Sequence, residues 1–490
     1  MAHTTSRPSS ARPSAARPIA AIAAIATLFA AFPATLAALE ASDPFDTRAI
    51  TPPRPMLAPV TPGSSNLPCQ ALPADGAYGV LEVIDLALCK NPRTRELWSV
   101  ARVQAAQVGL AQTDFLPTLD ARLTASRARI DSRAVSQRGA ALTLSWLLVD
   151  FGARSANLEV ARQLLSAAAA TLDATVQSVF LDALQAYYNT QAARAAVTAA
   201  TQSEKASRES LSAAEVRYRV GSGTPADRLQ AQTAWSQATL NRIRTEGVLR
   251  NALGRLAKVM GLDADQPLRL DEIPAVAPES ALDASFDRDV AALIAEARER
   301  RPDMKAAEAE LRAAQAGIAY ARAAGRPTIS LSGGPQWQDL GELSSHGNAI
   351  GLTFSVPIFS GFNTTYNIRA AEARSDVQAA RLDDTRQQVA LDVWEAYQSL
   401  STASQTIRST VDLLASAEQS ERVALGRYKA GVGNILDVLN AQSALATARL
   451  QRIQAMLDWH VSRATLARAI GILDSSLLLS VGRDRKNRNP

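Results

Sequence analysis

Hydrophobic and polar positions along this chain follow two different periods, which alternate in the same order in each half. From Tyr78 the run LEVIDLALCKNPRTRELWSVARVQAAQVGLAQ places apolar residues at helical spacing, is interrupted at Pro92 and stops before Pro117. The period then drops to two. Leu119, Ala121, Leu123 and Ala125 alternate with Asp120, Arg122, Thr124 and Ser126, and Leu142, Leu144, Trp146 and Leu148 form a second such series. Each series predicts a strand with one apolar face. Helical spacing returns from about Ala153 to Tyr218 without an internal proline, and another helix is predicted from Pro225 to Met260.

The succession then repeats. DVAALIAEARERRPDMKAAEAELRAAQAGIAYARA copies the first helical run, and PTISLSGGPQW and NAIGLTFSVPIF add two alternating segments. In the second of these, Ile350, Leu352, Phe354, Val356 and Ile358 share one side. Helices are predicted again over about Asn363–Tyr428 and Ile435–Ile470. An offset of 210 carries Pro92 to Pro302, Tyr187 to Tyr397 and Gly261 to Gly471. A constant offset over so much chain predicts a duplicated half-protein, with copies over 78–262 and 287–472. A linker at 263–286 joins them, and a tail at 473–490 follows.

Each copy thus offers two strands of about 10–12 residues, the length a tilted strand needs to cross a bilayer. Four strands cannot close a barrel, and an open edge in lipid leaves backbone groups without partners. Several chains must therefore share one barrel: two would give eight strands and three would give twelve, both within the known range. Each uninterrupted helix of some 65 residues, at ~1.5 Å per residue, reaches about 100 Å. The expected fold is mainly α with a membrane β-barrel.

The link between long and short helices is the most repetitive stretch: RYRVGSGTPADRLQAQTAW from Arg217 and RYKAGVGNILDVLNAQSAL from Arg427. Gly221 and Gly431 suit the left-handed residue that ends a helix, with Gly223 and Gly433 as the second glycine of each turn. Thr224 and Asn434 suit N-caps, Pro225 suits the first helical position, and Asp227 and Asp437 fall where a capping-box acid sits. This predicts a helix-to-helix hairpin at the end of the rod far from the strands.

Composition adds the compartment. Residues 1–38 carry Arg7, Arg12 and Arg17 ahead of the apolar run Ile19–Phe32 and small residues near Ala34–Ala38, which predicts a secretory signal peptide, with an uncleaved anchor helix as the alternative. Residues 39–77 are proline-rich and predict an extended arm. Without the signal the formal charge falls from +5 to about +2, and nothing indicates a nucleic-acid partner. Aromatic residues make up only 5% of the chain, with alanine dominating its hydrophobic positions, as expected of long helices in close contact. The only cysteines, Cys69 and Cys89, would meet an oxidising compartment, where a disulfide persists; two free thiols are the alternative.

Catalytic chemistry finds no support. Asp150-Phe151-Gly152 copies a kinase triplet without its companion loops and is read as a strand-to-helix turn. The glycine pairs lack the Gly-Lys-Ser/Thr of a phosphate-binding loop. His3, His346 (in a predicted loop) and His460 are too few and too dispersed for a metal or a triad, so no cofactor is expected. Trp146 and Trp337 suit a membrane interface.

Strand pair, long helix, Tyr-x-x-Gly turn and Asp-Val-Leu helix, with YKAGVGNILDVLNAQ at the second hairpin, resemble the TolC family of outer-membrane efflux and secretion proteins over about Val80–Ile472. That resemblance implies a homotrimer: a 12-stranded barrel in outer-membrane lipid, continued by a helical tunnel across the periplasm. It implies no enzymatic activity. It implies as partners a periplasmic adaptor (membrane-fusion) protein and an inner-membrane ABC transporter or proton-driven pump. Carried over to this chain, Asp437 matches the aspartate that narrows the periplasmic tunnel mouth, Asp227 an acidic residue of its latch, and Tyr428 the latch tyrosine. Asn440 and Gly433 depart from the pattern, which has a second aspartate and an arginine there. The cysteine pair, placed ahead of the first helix, is similar to the CyaE-like branch, which implies toxin export by type I secretion. Multidrug or metal efflux is the alternative, and a soluble periplasmic coiled-coil adaptor is the alternative of another class.

Overall fold

A computed structural model describes residues 43–55, 76–130, 133–271, 289–340 and 343–473. The expected signal peptide, most of the proline-rich arm and all of the tail beyond Leu473 lie outside the described residues. The chain divides into two compact units, 1–50 and 51–490. In the first, the Asp43 carboxylate accepts hydrogen bonds from the Thr47 hydroxyl at 3.0 Å and the Arg48 N–H at 3.2 Å, closing a turn.

The second unit holds every described helix and strand. Helices α1 (Val80–Lys90) and α2 (Pro92–Thr113) lead into β1 (Thr118–Ile130), β2 (Arg133–Val149), the long α3 (Ala153–Arg219) and α4 (Pro225–Val259). Then come α5 (Val290–Arg300), α6 (Pro302–Ala323), β3 (Thr328–Asp339), β4 (Ser344–Ser355), α7 (Asn363–Lys429) and α8 (Ile435–Ile470). Residues 80, 92, 118, 153 and 225, which begin first-copy elements, each recur 210 later as the start of the matching second-copy element. Proline explains one of these boundaries. Pro92 and Pro302 cannot continue a helix but suit its first turn, so α1–α2 and α5–α6 break at the same place.

α3 and α7 each have 67 residues and so reach some 100 Å. α3 packs on α2, α4, α6 and α8, while α7 packs on α5, α6 and α8, so the two copies interlock. Most side chains at these contacts are small, as where Val108 and Ala111 of α2 meet Ala161 of α3. Larger residues gather where the short helices wrap the rod. Val83, Ile84 and Leu86 of α1 pack on Val179, Phe180, Leu184 and Tyr187 of α3 with Met260, and Leu293, Met304, Val389, Val393 and Trp459 form the second-copy counterpart. Each such fully buried side chain contributes about 1.5–3 kcal/mol. The described start of the expected linker is pinned to this region: Tyr78 N–H donates to Arg269 O at 2.8 Å, and Asp271 N–H to Tyr78 O at 3.1 Å. Arg301, only 8% exposed, occupies the position matching Asn91 and pairs with Asp303 and, at 2.8 Å, with Asp392.

His460 sits within this belt. Its ring stacks on Tyr188 at 4.4 Å and meets Trp459 edge-on at 4.9 Å. Burial, reinforced by the Arg463 charge, pushes its pKa down from 6.5 to about 4, and burial pushes the Tyr188 phenol up to about 12. The unfolded chain therefore takes up a proton below about pH 6.5 that the folded chain refuses until about pH 4. The associated stability, about 3 kcal/mol at most, is present above pH 6.5 and is lost as pH falls through 4. Denaturant titrations across that range are expected to show this slope in the wild type and its loss in His460→Phe.

The four strands form one antiparallel sheet in the order β1-β2-β3-β4, leaving β1 and β4 as edges. Registers align Leu119 with Leu144, Leu144 with Gly333 and Gly333 with Ile350, and they align Trp146 with Leu331 and Leu331 with Leu352. One face is therefore largely apolar, interrupted in β4 by Asn348 and His346, and most of its large side chains are exposed, among them Leu144 at 38% and Ile350 at 83%. Trp337 lies toward the hairpin tips and Trp146 toward the helices, donating to Phe115 O at 3.0 Å, so aromatic residues mark both ends of the band.

The strands differ from expectation at their ends. β1 has 13 residues and β2 has 17, with β2 starting at Arg133 in a polar stretch whose pairing with β1 extends the hairpin beyond the apolar band. His346, expected in a loop, lies in β4 opposite Trp337. β4 ends at Ser355, so Val356 and Ile358 do not continue it. Pro357 has no N–H to give to a ladder, and Gly361 and Phe362 then turn the chain at φ 61° and 63°. In the first copy the turn is the Asp150-Phe151-Gly152 triplet: Asp150 accepts the N–H groups of Gly152 at 3.2 Å and Arg154 at 2.7 Å, capping α3.

Candidate functional site: the hairpin end of the rod

Both hairpins turn at the end of the rod opposite the sheet, and each uses its two glycines differently. Gly221 and Gly431 take φ of 76° and 82°, the left-handed conformation that lets the chain leave a helix, with open space where a Cβ would be. Gly223 and Gly433 are needed for contact: a Cβ on Gly433 would lie 2.9 Å from Tyr428 N, and one on Gly223 3.2 Å from Tyr218 N. The first glycine answers to backbone conformation and the second to close approach of the preceding helix end.

The caps differ between the copies. Thr224 Oγ1 accepts Asp227 N–H at 3.1 Å while Thr224 N–H donates to the Asp227 carboxylate at 3.0 Å, a complete capping box. In the second hairpin Asn434 Oδ1 accepts Leu436 N–H at 3.1 Å. Asp437 occupies the matching place, but among the described residues none reaches its carboxylate with a hydrogen bond, and it is exposed. The capping-box expectation is thus corrected for Asp437. Asn434 bonds one residue earlier than Thr224 does, so the reciprocal bond that holds Asp227 is not made. Thr224→Ala is expected to cost about 1 kcal/mol and to speed amide exchange over the first turn of α4.

A third element joins the hairpins. Arg217, at the end of α3, donates to Tyr428 O at 2.9 Å and lays its guanidinium 4.8 Å from the centre of the Tyr428 ring. Tyr428 is 4% exposed and packs with Ala214, Ala231, Ile435 and Val438. Burial, with Asp227 nearby, holds its phenol above the usual range against the Arg217 charge. The equivalent Tyr218 is 40% exposed. Farther along, buried Gln442 donates to Ser210 Oγ at 3.0 Å, tying α8 to α3.

The structure therefore gathers Asp227, Tyr428, Asp437 and the four glycines at one end. Arg217 and Gln442 were not singled out from sequence, although both lie within the repeated stretches, and the arginine preceding the tyrosine in each copy was the available signal. Cys89 lies in the last turn of α1 rather than ahead of it, and Cys69 lies outside the described residues. Among the described residues no group of three or more His, Cys, Asp or Glu is placed to hold a metal.

Comparison with known proteins bears on this architecture. The outer membrane efflux protein family matches residues 83–262 and 293–472, two segments displaced by the same 210 positions. The chain belongs to this family. It is accordingly an outer-membrane channel component of the TolC type that reaches into the periplasm, working in a tripartite efflux or secretion system rather than as an enzyme. Membership removes the soluble coiled-coil alternative.

The chain is 34% identical to Protein CyaE of Bordetella pertussis over 424 residues, covering 84% of this chain and 88% of the relative. It is 26% identical to the probable efflux pump outer membrane protein TtgC of Pseudomonas putida over 413 residues, 80% of this chain and 82% of the relative. A crystal structure of a membrane protein from Pseudomonas aeruginosa superposes with a TM-score of 0.70 at 26% identity, covering 82% of this chain and 92% of the other.

Proposed function

We propose that this protein is the homotrimeric outer-membrane duct of a type I secretion system, passing a protein substrate from an inner-membrane ABC transporter and a periplasmic adaptor to the exterior. The observation that supports sharing of the barrel is the sheet itself: four strands, one apolar face and two unpaired edges. Edges are not tolerated in lipid, and three copies give twelve strands. Protein export is favoured by the 34% identity to Protein CyaE, together with the toxin-export role that the CyaE-like resemblance implies. Multidrug or metal efflux by a proton-driven pump is the second reading, favoured by the efflux-pump names of the 26% identical relatives.

In this duct Asp437, Asp227 and Tyr428 form the periplasmic gate, the mature chain begins after about residue 38, and a Cys69–Cys89 disulfide ties the proline-rich arm to α1. In-cell cross-linking followed by affinity capture of the tagged chain is expected to recover an adaptor and an ABC transporter. Recovery of a proton-driven pump in their place would reject type I secretion in favour of efflux.

A further inference from the structure

The face of the sheet opposite the apolar band has an unusual charge distribution. Its rows run Thr118, Ser145, Ser332, Gly351; then Asp120, Thr143; then Arg122, Ala141, Gln336, Gly347; then Thr124, Gly139, Gln338, Ser345. Serine, threonine, glutamine, glycine and alanine fill these rows, with Asp120 and Arg122 as the only charges. Among the described residues neither side chain makes a hydrogen bond or an ion pair, and both are exposed. Arg122 also lines a cavity of about 410 Å³ with Thr124, Gln137, Gly139, Gln336 and Gln338. Its row lies one residue on the helix side of the row containing Trp337, and hence near the outer end of the apolar band.

In a barrel whose apolar face meets lipid, this second face lines the lumen. We propose that Arg122 projects into the lumen as a ring of three guanidinium groups that narrows the outer half of the barrel and lowers its preference for cations. The inference rests on the shared trimeric barrel proposed above. Arginine is the longest side chain in its row, where glycine and alanine neighbours leave space toward the axis. Three fixed positive charges within low-dielectric walls create a potential large enough to change the local ion concentration severalfold. Asp120, one row closer to the helices, supplies a shorter ring of opposite sign.

The test is single-channel recording of the full-length trimer in planar bilayers across a KCl gradient, after native mass spectrometry of each variant. Arg122→Gln is expected to raise the cation-to-anion permeability ratio about twofold and to increase conductance. Arg122→Lys should retain the wild-type ratio, Asp120→Asn should shift it the other way, and Arg127→Gln, on the opposite face, should leave it unchanged. Arg122→Gln trimers with wild-type ratio and conductance would overturn the ring. A wild-type chain that stays monomeric and does not conduct would overturn the shared barrel, and the ring with it.

Discussion

Leu144→Arg is expected to leave the chain unable to assemble in the outer membrane. Leu144 lies in the centre of the apolar face, between Leu119 and Gly333, with Ile350 next along the row. An arginine near the bilayer midplane of a barrel costs roughly 2–4 kcal/mol, and a trimer incurs that cost three times. Ser145→Arg is the informative contrast. It is adjacent in sequence, but its row of Thr118, Ser332 and Gly351 lies on the other face, so the new charge reaches water. The fraction of trimer resisting dissociation in detergent should collapse for Leu144→Arg and stay near wild type for Ser145→Arg. The reverse ranking would show that the faces have been assigned the wrong way round.

Asp437→Ala is expected to reduce cation selectivity severalfold and to weaken block by multivalent cations, because the proposed gate would bring three carboxylates together at a narrow mouth and concentrate cations there. The hairpin geometry separates this from a helix-cap effect. Asp227 is engaged in the Thr224 capping box, so Asp227→Ala should cost about 0.5–2 kcal/mol of helix stability. Asp437 makes no such bond among the described residues, so its removal should leave unfolding of α8 nearly unchanged. Asn440→Ala should alter selectivity little. Wild-type selectivity in Asp437→Ala trimers would remove Asp437 from the gate.

A weaker hold at the same end is open to measurement. Arg217 spans from the first hairpin to the backbone and ring of Tyr428 in the second, so it restrains the hairpins relative to each other within one chain. Charge-assisted hydrogen bonds are stronger than neutral ones, and a cation over an aromatic face adds to them. If the hairpins form the proposed gate, Arg217→Ala is therefore expected to raise basal conductance, whereas Arg427→Ala, at the exposed equivalent position, should not.

The order of elements, their duplication and the helix breaks were legible in the sequence because each rests on local physics. Proline at 92 and 302 ends helices wherever it occurs, glycine at 221 and 431 permits the left-handed turn, and alternation from Leu119 to Ser126 suits only a two-residue period. The ends of the strands were less legible. The polar start of β2 becomes strand only because β1 lies beside it to accept its hydrogen bonds, which no local pattern reports. Tertiary structure decided the largest difference between the repeats. One sequence motif gives Asp227 a cap and leaves Asp437 exposed, and it buries Tyr428 under Arg217 while Tyr218 remains 40% exposed. The cap difference follows the local exchange of Thr224 for Asn434, whereas the burial of Tyr428 depends on Arg217 and the helices packed against its hairpin, neighbours that two nearly identical stretches acquire only when the chain folds.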